Sequence, residues 1–220
     1  MKITKIFIAD DHPVFLFGLN SIIGLMNNCE IEEVASNGIS ALSIIEKSNP
    51  EIAILDIDMP GLSGLEVTKR IAKMQLSTKV IILTMHKDES IFNLAFDSGA
   101  IGYVLKDNTA TDIVNCINSV IAGEIFVSPQ IVKFFENRQE ENYITELNLL
   151  NELTETEKKV LIEVSLNKSS LEIASLLHVS NKTIQNHRFN ICKKMKLKGI
   201  NSLLSYALLS KKCINLIFTE

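Results

Sequence analysis

The sequence predicts two domains: a doubly wound α/β domain on a five-stranded parallel sheet, followed by a small all-α domain. Two observations lead to this prediction. Residues 1–125 alternate short apolar segments with longer amphipathic ones, whereas the last third of the chain shows only the helical spacing of apolar residues. The net charge also changes sign between these two parts. We therefore expect the two domains to bind different partners.

Five apolar segments are predicted to be strands, and an amphipathic helix is predicted after each. The predicted strands are residues 6–9, 31–35, 52–55, 80–83 and 103–105. The predicted helices are residues 14–26, 39–46, 64–74, 90–97 and 111–121. Strict alternation of this kind indicates a parallel sheet with helices on both faces. The continuous apolar character of the strands fits such a sheet, because both of its faces are buried.

Residues 126–149 have a polar middle without a clear period and are predicted to be a linker, with a helix from residue 129 to about 137. Helical spacing returns in the domain predicted at residues 150–215. Thr154 and Glu157 fit a capping box that opens its first helix. Further helices are predicted at residues 170–177, 181–195 and 201–209. Two short helices, a turn and a longer basic helix are typical of a helix-turn-helix domain.

Composition is that of a globular protein. Hydrophobic residues make up 46% of the 220 residues and charged residues 22%. No apolar run approaches the roughly 18 residues of a membrane span, and no secretion signal is recognisable, so we expect a cytoplasmic protein without membrane contact. Its cysteines, Cys29, Cys116, Cys192 and Cys213, lack the spacing of a zinc site or a disulfide framework and are predicted to be buried or idle thiols.

The charge is distributed unevenly along the chain. Residues 1–125 have 9 basic and 16 acidic side chains, a net charge of −7, and residues 126–150 add −2. Residues 151–220 have 11 basic and 6 acidic side chains, a net charge of +5. Only the C-terminal part is therefore expected to meet a polyanion, and the acidic part is expected to bind a cation.

Polar side chains follow the predicted strands at one edge of the sheet, where ligands bind in folds of this kind. These residues are Asp10, Asp11, Asp56, Thr84 and Lys106. Three carboxylates at one edge repel each other unless a cation neutralises them, and Mg²⁺ prefers such oxygen ligands. Any one of these residues alone fits a helix cap or a solvated side chain. Together they indicate a carboxylate, Asp56, that accepts a phosphoryl group beside Lys106 and Thr84.

Four motifs carry a resemblance to a known family. They are IADDHP (8–13), ILDIDMPGLSGLE (54–66), ILTMH (82–86) and GYVLKD (102–107). Residues 1–125 resemble the flavodoxin-like receiver domain of two-component response regulators. The resemblance implies that a sensor histidine kinase donates a phosphoryl group to Asp56. It also implies that Asp11, Asp56 and the main-chain carbonyl of Asp58 bind Mg²⁺ directly, with Asp10 acting through water.

Thr84 and Tyr103 match the switch pair of receiver domains. In that family the threonine moves toward the phosphate and the aromatic side chain turns inward, which alters the face formed by the fourth helix, fifth strand and fifth helix. A half-buried strand aromatic is the alternative for Tyr103. Asp58 is a further carboxylate beside the cleft, and we hypothesise that it tunes the lifetime of the phosphorylated state. His86 either lines the same entrance or is simply exposed.

The basic helix at residues 181–198 is amphipathic. Ile184, Ile191 and Met195 fall on one face and are expected to pack inward, with His187 at its edge. The side chains expected to point outward are Lys182, Gln185, Asn186, Phe189, Lys193 and Lys194. Glutamine and asparagine can pair with adenine in the major groove, and lysine can contact phosphates. A solvated charged face is the alternative.

This segment resembles the LuxR-type helix-turn-helix of the NarL/FixJ class, through LTETEKKVL (153–161), EIASLLHVSNKTIQNH (172–187) and NICKKM (190–195). Departures from the family pattern are Thr156, Asn167 and Ser170-Leu171. By position, the base-reading side chains are Gln185, Asn186 and Phe189, and the backbone contacts are Lys182, Thr183, Lys193 and Lys194. Phe189 is unusual at its position and would touch a thymine methyl group or pack on sugar. Residues 201–209 match the helix through which such domains pair, with core packing as the alternative.

The expected function is that of a phosphorylation-controlled transcription regulator, not an enzyme, which binds promoter DNA as a homodimer when phosphorylated. Two alternatives remain open. The Asp56-x-Asp58 pattern is also found in haloacid-dehalogenase-type phosphatases, although there the pattern follows the first strand and an acidic pair comes after the lysine. A protein-binding output adaptor is the second alternative, given the departures in the C-terminal domain.

Overall fold

The structure, a computed structural model, describes residues 2–107, 110–199, 201–211 and 214. The chain divides into two compact units, residues 1–138 and 139–220. Cys213 lies outside the described residues, Cys29 and Cys116 are buried, and Cys192 is half-buried. Burial raises the pKa of the Cys29 and Cys116 thiols, as expected for inert cysteines. Within the described ranges, every helix is too short or too polar to cross a membrane.

The first unit is a parallel sheet with helices on both faces. Its strands are β1 (Thr4–Ala9), β2 (Cys29–Ala35), β3 (Ile52–Asp56), β4 (Lys79–Thr84), β5 (Ala100–Leu105) and β6 (Phe126–Val127). Its helices are α1 (Pro13–Ile23), α2 (Gly38–Ser48), α3 (Gly64–Lys73), α4 (Glu89–Asp97) and α5 (Ala110–Ala122). The strand order is β2-β1-β3-β4-β5-β6, so the chain reverses its direction of winding at β1 and β3.

Two apolar layers fill the two sides of this sheet. Phe7, Leu55 and Ile82 belong to one layer and Ile8, Ile54 and Leu83 to the other. Neighbouring residues of one strand thus face opposite layers, which explains why the inner strands β1, β3, β4 and β5 are mostly apolar, whereas the edge strand β2 contains Glu30, Glu32 and Glu33. The doubly wound α/β fold predicted for this part of the chain is confirmed.

The sheet has six strands where five were predicted. The additional strand, β6, has only two residues and lies within the predicted linker, where it pairs with β5 at Gly102 and Tyr103. Ser128 extends this contact, because its backbone N–H donates to Tyr103 O at 3.0 Å and its hydroxyl accepts from Leu105 N at 3.1 Å. A pairing of two residues leaves no periodic pattern in the sequence.

The linker helix is also longer than predicted. A 3₁₀ turn at Pro129–Ile131 leads into α6 (Val132–Asn151), whereas the prediction ended near residue 137. The Glu- and Asn-rich middle of this segment suggested a loop, yet it contains neither glycine nor proline and thus nothing that breaks a helix. The boundary between the two units falls inside α6.

The second unit is helical, as predicted. Its helices are α7 (Glu155–Ser165), α8 (Ser170–Leu176), α9 (Asn181–Lys194) and α10 (Ser202–Leu209). Thr154 and Glu157 form the predicted capping box, Ser169 and Glu172 form a second, and the Ser180 side chain caps α9. Leu150, near the end of α6, is fully buried in the apolar core of this unit.

Candidate functional site

The polar residues that follow β1 and the last residue of β3 meet at one edge of the sheet. Ligand atoms of Asp10, Asp11, His12 and Asp56 all lie within 4.8 Å of one another. Asp10 is 1% exposed and Asp56 is 3% exposed. Burial raises the pKa of the Asp56 carboxyl, and the hydrogen bond and charge of Lys106 partly oppose this rise. Because oxygen atoms dominate this cluster, it fits a hard cation such as Mg²⁺.

Lys106 joins two of these carboxylates. Its Nζ lies 2.8 Å from Asp10 Oδ2 and 2.7 Å from Asp56 Oδ2, and its side chain is 2% exposed. The ammonium also lies 4.5 Å from the centre of the Phe15 ring, and the Lys106 N–H donates to Thr84 O at 2.8 Å. A buried cation between two carboxylates neutralises part of their mutual repulsion.

A glycine allows the chain to return over the end of β3. A Cβ on Gly64, the first residue of α3, would lie 2.0 Å from the carbonyl oxygen of Asp56, so no larger residue fits there. Ser63 caps α3, and Glu66 completes its capping box. The sequence between Asp56 and α3 therefore fixes the loop that carries the buried carboxylate.

Asp58 lies in this loop and is exposed. Its backbone N–H donates to the Asp56 carboxylate, and its side-chain Oδ2 lies 2.9 Å from His86 Nε2. The Asp58 side chain thus contacts His86, which follows β4. This contact agrees with the hypothesis that Asp58 borders the cleft. His86 is half-buried, not fully exposed.

Thr84 and Tyr103 are linked through the backbone of His86. Thr84 Oγ1 accepts from the His86 N–H at 3.2 Å, and the Tyr103 hydroxyl donates to His86 O at 3.0 Å. Both side chains are 0% exposed, so Tyr103 is fully buried and not the half-buried aromatic of the alternative interpretation. Burial raises the pKa of the Tyr103 phenol, which keeps its hydroxyl protonated as a donor.

A row of aromatic rings extends from Tyr103 to the linker helix. The Phe92 ring of α4 lies 5.3 Å from Tyr103 and 5.9 Å from Phe134 of α6. Polar contacts hold the same two helices together. Arg138 lies 2.7 Å from Asp97, and the Asn137 side-chain amide donates to Glu89 at 2.9 Å. These contacts were not predicted, because residues 126–149 were expected to be a linker.

The second unit presents a basic helix, α9, above an apolar core. Ile184 and Ile191 are 0% exposed and Met195 is 5% exposed, while His187 is half-buried at the edge, all as predicted. Lys182, Gln185, Asn186, Phe189 and Lys193 are exposed. Because α9 follows α8 and a tight turn, it holds the place of the recognition helix in a helix-turn-helix.

Two of the residues expected to contact the DNA backbone have other partners. Lys194 Nζ lies 2.6 Å from the buried Glu157 carboxylate and donates to Glu152 O at 3.0 Å. The Thr183 hydroxyl lies 2.8 Å from that of Ser180, which caps α9. Lys194, which was expected to point mostly outward, is half-buried beside this carboxylate, a contact that helical spacing alone did not predict.

Comparisons with known proteins identify both parts of the chain. Residues 6–118 match the family model of the response regulator receiver domain, and residues 151–207 match the model of bacterial regulatory proteins, luxR family. The oxygen regulatory protein NreC of Staphylococcus carnosus is 32% identical over 212 residues, which cover 94% of this chain and 98% of NreC. The transcriptional regulatory protein LnrK of Bacillus subtilis is 33% identical over 210 residues, covering 92% and 96%.

Solved structures give the same result. RcsB of Salmonella typhimurium, described as a response regulator that interacts with DNA, is 25% identical with a TM-score of 0.58, covering 94% of this chain and 98% of RcsB. A DNA-binding response regulator of the LuxR family from Staphylococcus aureus is 38% identical with a TM-score of 0.52, covering 54% and 98%. The match to the luxR family favours DNA binding over the adaptor alternative. The order of Asp10 after β1 and Asp56 on β3 counts against the phosphatase alternative.

Proposed function

The chain belongs to the NarL/FixJ class of two-component response regulators, DNA-binding proteins with a receiver domain and a LuxR-type domain, and we propose that phosphorylation of its Asp56 controls this DNA binding. The donor would be a sensor histidine kinase, the type of partner that a receiver domain implies. We propose domain limits of 1–125 and 150–215, with residues 126–149 between them. The proposed location is the cytoplasm, where a regulator of this class meets promoter DNA.

The contact that carries this proposal is the one between Lys106 and Asp56. In the transfer, the N–P bond of a phosphohistidine breaks, a bond forms between phosphorus and an Asp56 oxygen, and the imidazole leaves. Lys106 Nζ, 2.7 Å from Asp56 Oδ2, is placed to neutralise the oxygens of the incoming group. Asp56 then carries the phosphoryl group as an aspartyl-phosphate, and we propose that the chain acts as a phosphoacceptor and not as an enzyme with a small-molecule substrate.

Receiver domains generally bind Mg²⁺ at an acidic pocket, and the carboxylate cluster of this chain fits such an ion. We propose that Asp11, Asp56 and the main-chain carbonyl of Asp58 bind the ion directly and that Asp10 acts through water. When bound, Mg²⁺ reduces the repulsion between these carboxylates and a phosphoryl group. His12, whose Nδ1 lies 2.7 Å from Asp11 Oδ1, orients the carboxylate that it contacts.

Thr84 and Tyr103 are proposed to report the phosphoryl group to the rest of the receiver. The Thr84 hydroxyl would turn from the His86 N–H to a phosphoryl oxygen. Such a turn changes the His86 backbone segment, whose carbonyl accepts from Tyr103. The ring contacts from Tyr103 through Phe92 to Phe134 then extend to α6, whose far end belongs to the second unit. This route supports a receiver that acts on the DNA-binding domain through α6.

Five exposed side chains of α9 are proposed to contact DNA: Lys182, Gln185, Asn186, Phe189 and Lys193. Lys194 and Thr183 are proposed to act indirectly, because their contacts with Glu157 and Ser180 fix the two ends of this helix. The phosphorylated chain is proposed to bind as a homodimer on two half-sites about one turn of DNA apart.

Mass spectrometry after treatment with a small phosphodonor tests the proposed phosphoacceptor. In the presence of Mg²⁺, the wild-type chain is expected to gain one phosphoryl group, located on the peptide that contains Asp56. Asp56→Asn is expected to gain none, whereas Asp107→Asn, a matched change at an exposed carboxylate, is expected to gain one. A phosphoryl group on another residue, or equal labelling of Asp56→Asn, would show that the proposal is wrong.

A further inference from the structure

Phe189 stands out on the exposed face of α9. It is 70% exposed, although a phenyl ring is among the side chains that folding most strongly buries. Within the described part of the chain, its ring is not among the apolar side chains packed against the core of the second unit. The stability of the domain therefore does not explain the ring.

The ring borders a groove without filling it. Cys192, Leu197 and Leu203 line the same groove, which has a volume of about 340 Å³ between α9 and α10. Arg188, the single arginine of α9, lines this groove as well and is half-buried, whereas Gln185, Asn186 and Phe189 are exposed. The exposed side chains in the middle of α9 are thus the amides of Gln185, Asn186 and Asn190 and the phenyl ring of Phe189, with exposed lysines only toward its ends.

This combination selects among base pairs. Glutamine and asparagine form paired hydrogen bonds with adenine, whereas the paired contacts to guanine use arginine or lysine. An apolar side chain gains most from thymine, because thymine alone presents a methyl group in the major groove. The central part of the exposed row therefore suits A·T pairs.

The positions along the helix fit neighbouring base pairs. Phe189 follows Gln185 by four residues, so the two side chains lie on one face, about 6 Å apart along the axis. Base pairs are stacked about 3.4 Å apart, so the two side chains reach positions within about two base pairs of each other.

We infer that Phe189 gives α9 a preference for thymine, with the phenyl ring packed on the C5-methyl group of a thymine within two base pairs of an adenine bound by Gln185 or Asn186. The inference rests on the proposed DNA-binding function and adds the class of half-site, one rich in A·T pairs. It also assigns the preference to an apolar contact and not to a hydrogen bond or a charge.

Selection from a random duplex pool tests this inference first. The phosphodonor-treated full chain is expected to enrich an A·T-rich half-site with one invariant thymine. Phe189→Ala is expected to enrich the same site without a preference at that thymine. Leu166→Ala, a matched change at an exposed apolar residue outside α9, is expected to keep the preference. Enrichment of a G·C-rich half-site, or an unchanged preference in Phe189→Ala, would overturn the inference.

Removal of the methyl group alone is the sharper test. Replacing the invariant thymine with deoxyuridine is expected to weaken binding by the wild-type chain about fourfold, the factor contributed by one buried group of that size. Phe189→Ala is expected to bind both duplexes equally, with an unchanged thermal midpoint and an unchanged salt dependence, because it loses no phosphate contact. Equal binding of both duplexes by the wild type, or a lowered thermal midpoint, overturns the inference. If no sequence is enriched at all, the proposed function fails with it.

Discussion

Lys106 is held between two carboxylates in the acidic cleft. It is buried between Asp10 and Asp56, with Nζ within 2.8 Å of both carboxylates. Removal of one partner from a buried ionic cluster leaves the other charges uncompensated, which is more costly than the absence of the whole cluster. The lysine therefore stabilises the cleft before any phosphoryl group arrives.

Lys106→Met is expected to lower the free energy of unfolding of the receiver by about 3 kcal/mol in metal-free buffer. Urea unfolding followed by circular dichroism measures this change. Lys87→Met, which removes a lysine from an exposed ion pair with Asp107, is the matched control and is expected to change the free energy of unfolding by less than about 0.5 kcal/mol. Equal effects of the two substitutions would contradict the role assigned to Lys106.

Asp58 is expected to slow the approach of anionic phosphodonors. Its carboxylate is exposed at the loop after β3, beside His86. Asp58→Asn removes one negative charge from the entrance and is therefore expected to speed phosphorylation by a small anionic donor. Rapid quenching followed by mass spectrometry of the intact chain measures the rate of phosphorylation, and the decay of isolated phosphorylated protein measures the rate of loss. If both rates stay at the wild-type values, Asp58 does not tune the lifetime of the phosphorylated state.

Glu157 makes the stability of the second unit dependent on pH. Burial acts to raise the pKa of its carboxyl, but the hydrogen bonds from Lys194 and Thr154 prevail and lower it. A lowered pKa contributes stability that is complete above the pKa of an unfolded glutamate, about 4.3, and is lost as the pH falls toward the folded value.

Glu157→Gln is accordingly expected to be less stable than the wild type at pH 7, and the difference is expected to shrink as the pH falls below about 4.3. Thermal unfolding of the full chain at a series of pH values measures this difference for the helical unit. Glu155→Gln, an exposed residue of the same first turn, is the matched control and is expected to show a smaller gap at pH 7. A gap that is constant across the series would contradict the contribution assigned to Glu157.

Among the helices, α6 has residues in both units. Phe134 in its first turns contacts Phe92 of α4, while Leu150 near its end is buried in the helical unit. Because Phe92 also contacts Tyr103, a change at Tyr103 alters the surface on which α6 rests. We propose that α6, whose two ends pack in different units, passes a change at Tyr103 on to the second unit.

Phe134→Ala is expected to loosen the first turns of α6 and to reduce the gain in DNA affinity on phosphorylation. Hydrogen exchange of residues 133–138 measures the first effect, and DNA titration with and without phosphodonor measures the second. Tyr143→Ala, at an exposed aromatic residue of the same helix, is expected to change neither. Unchanged exchange and an undiminished gain in Phe134→Ala would contradict this route.

The elements with a strong period could be predicted from the sequence, and the others could not. The short apolar segments and the amphipathic helices between them predicted the α/β fold, and the ends of the predicted strands predicted the positions of Asp10, Asp56 and Lys106. The strand β6 and the full length of α6 were not predicted. The strand β6 has only two residues, and α6 has a polar, aperiodic middle whose helical state depends on packing at its ends.

The predicted contacts within the sites were less complete than the elements. Spacing on a helix identifies a face but not a partner on another helix, so the ion pair of Lys194 with Glu157 was missed. His12 was also missed as a neighbour of the carboxylates, although its place directly after Asp11 was a usable signal. Contacts between elements that are distant in sequence can be predicted only when the three-dimensional structure is known.

Across the whole molecule, cation binding and DNA binding are assigned to parts of the chain with opposite net charge. Residues 1–125 have a net charge of −7, which suits cation binding, and residues 151–220 have a net charge of +5, which suits DNA. In a regulator, DNA binding by the basic domain has to depend on the state of the acidic cleft. We propose that phosphorylation of Asp56 makes DNA binding by the second domain depend on the state of the first.

The most direct test is the affinity of the full chain for its selected duplex, measured with and without a phosphodonor in the wild type and in Asp56→Asn. Wild-type affinity is expected to rise on the order of tenfold with the phosphodonor, within the usual range for coupled sites. Asp56→Asn is expected to keep the lower affinity under both conditions. Equal affinities of the wild type under the two conditions, or an equal rise in Asp56→Asn, would contradict the account.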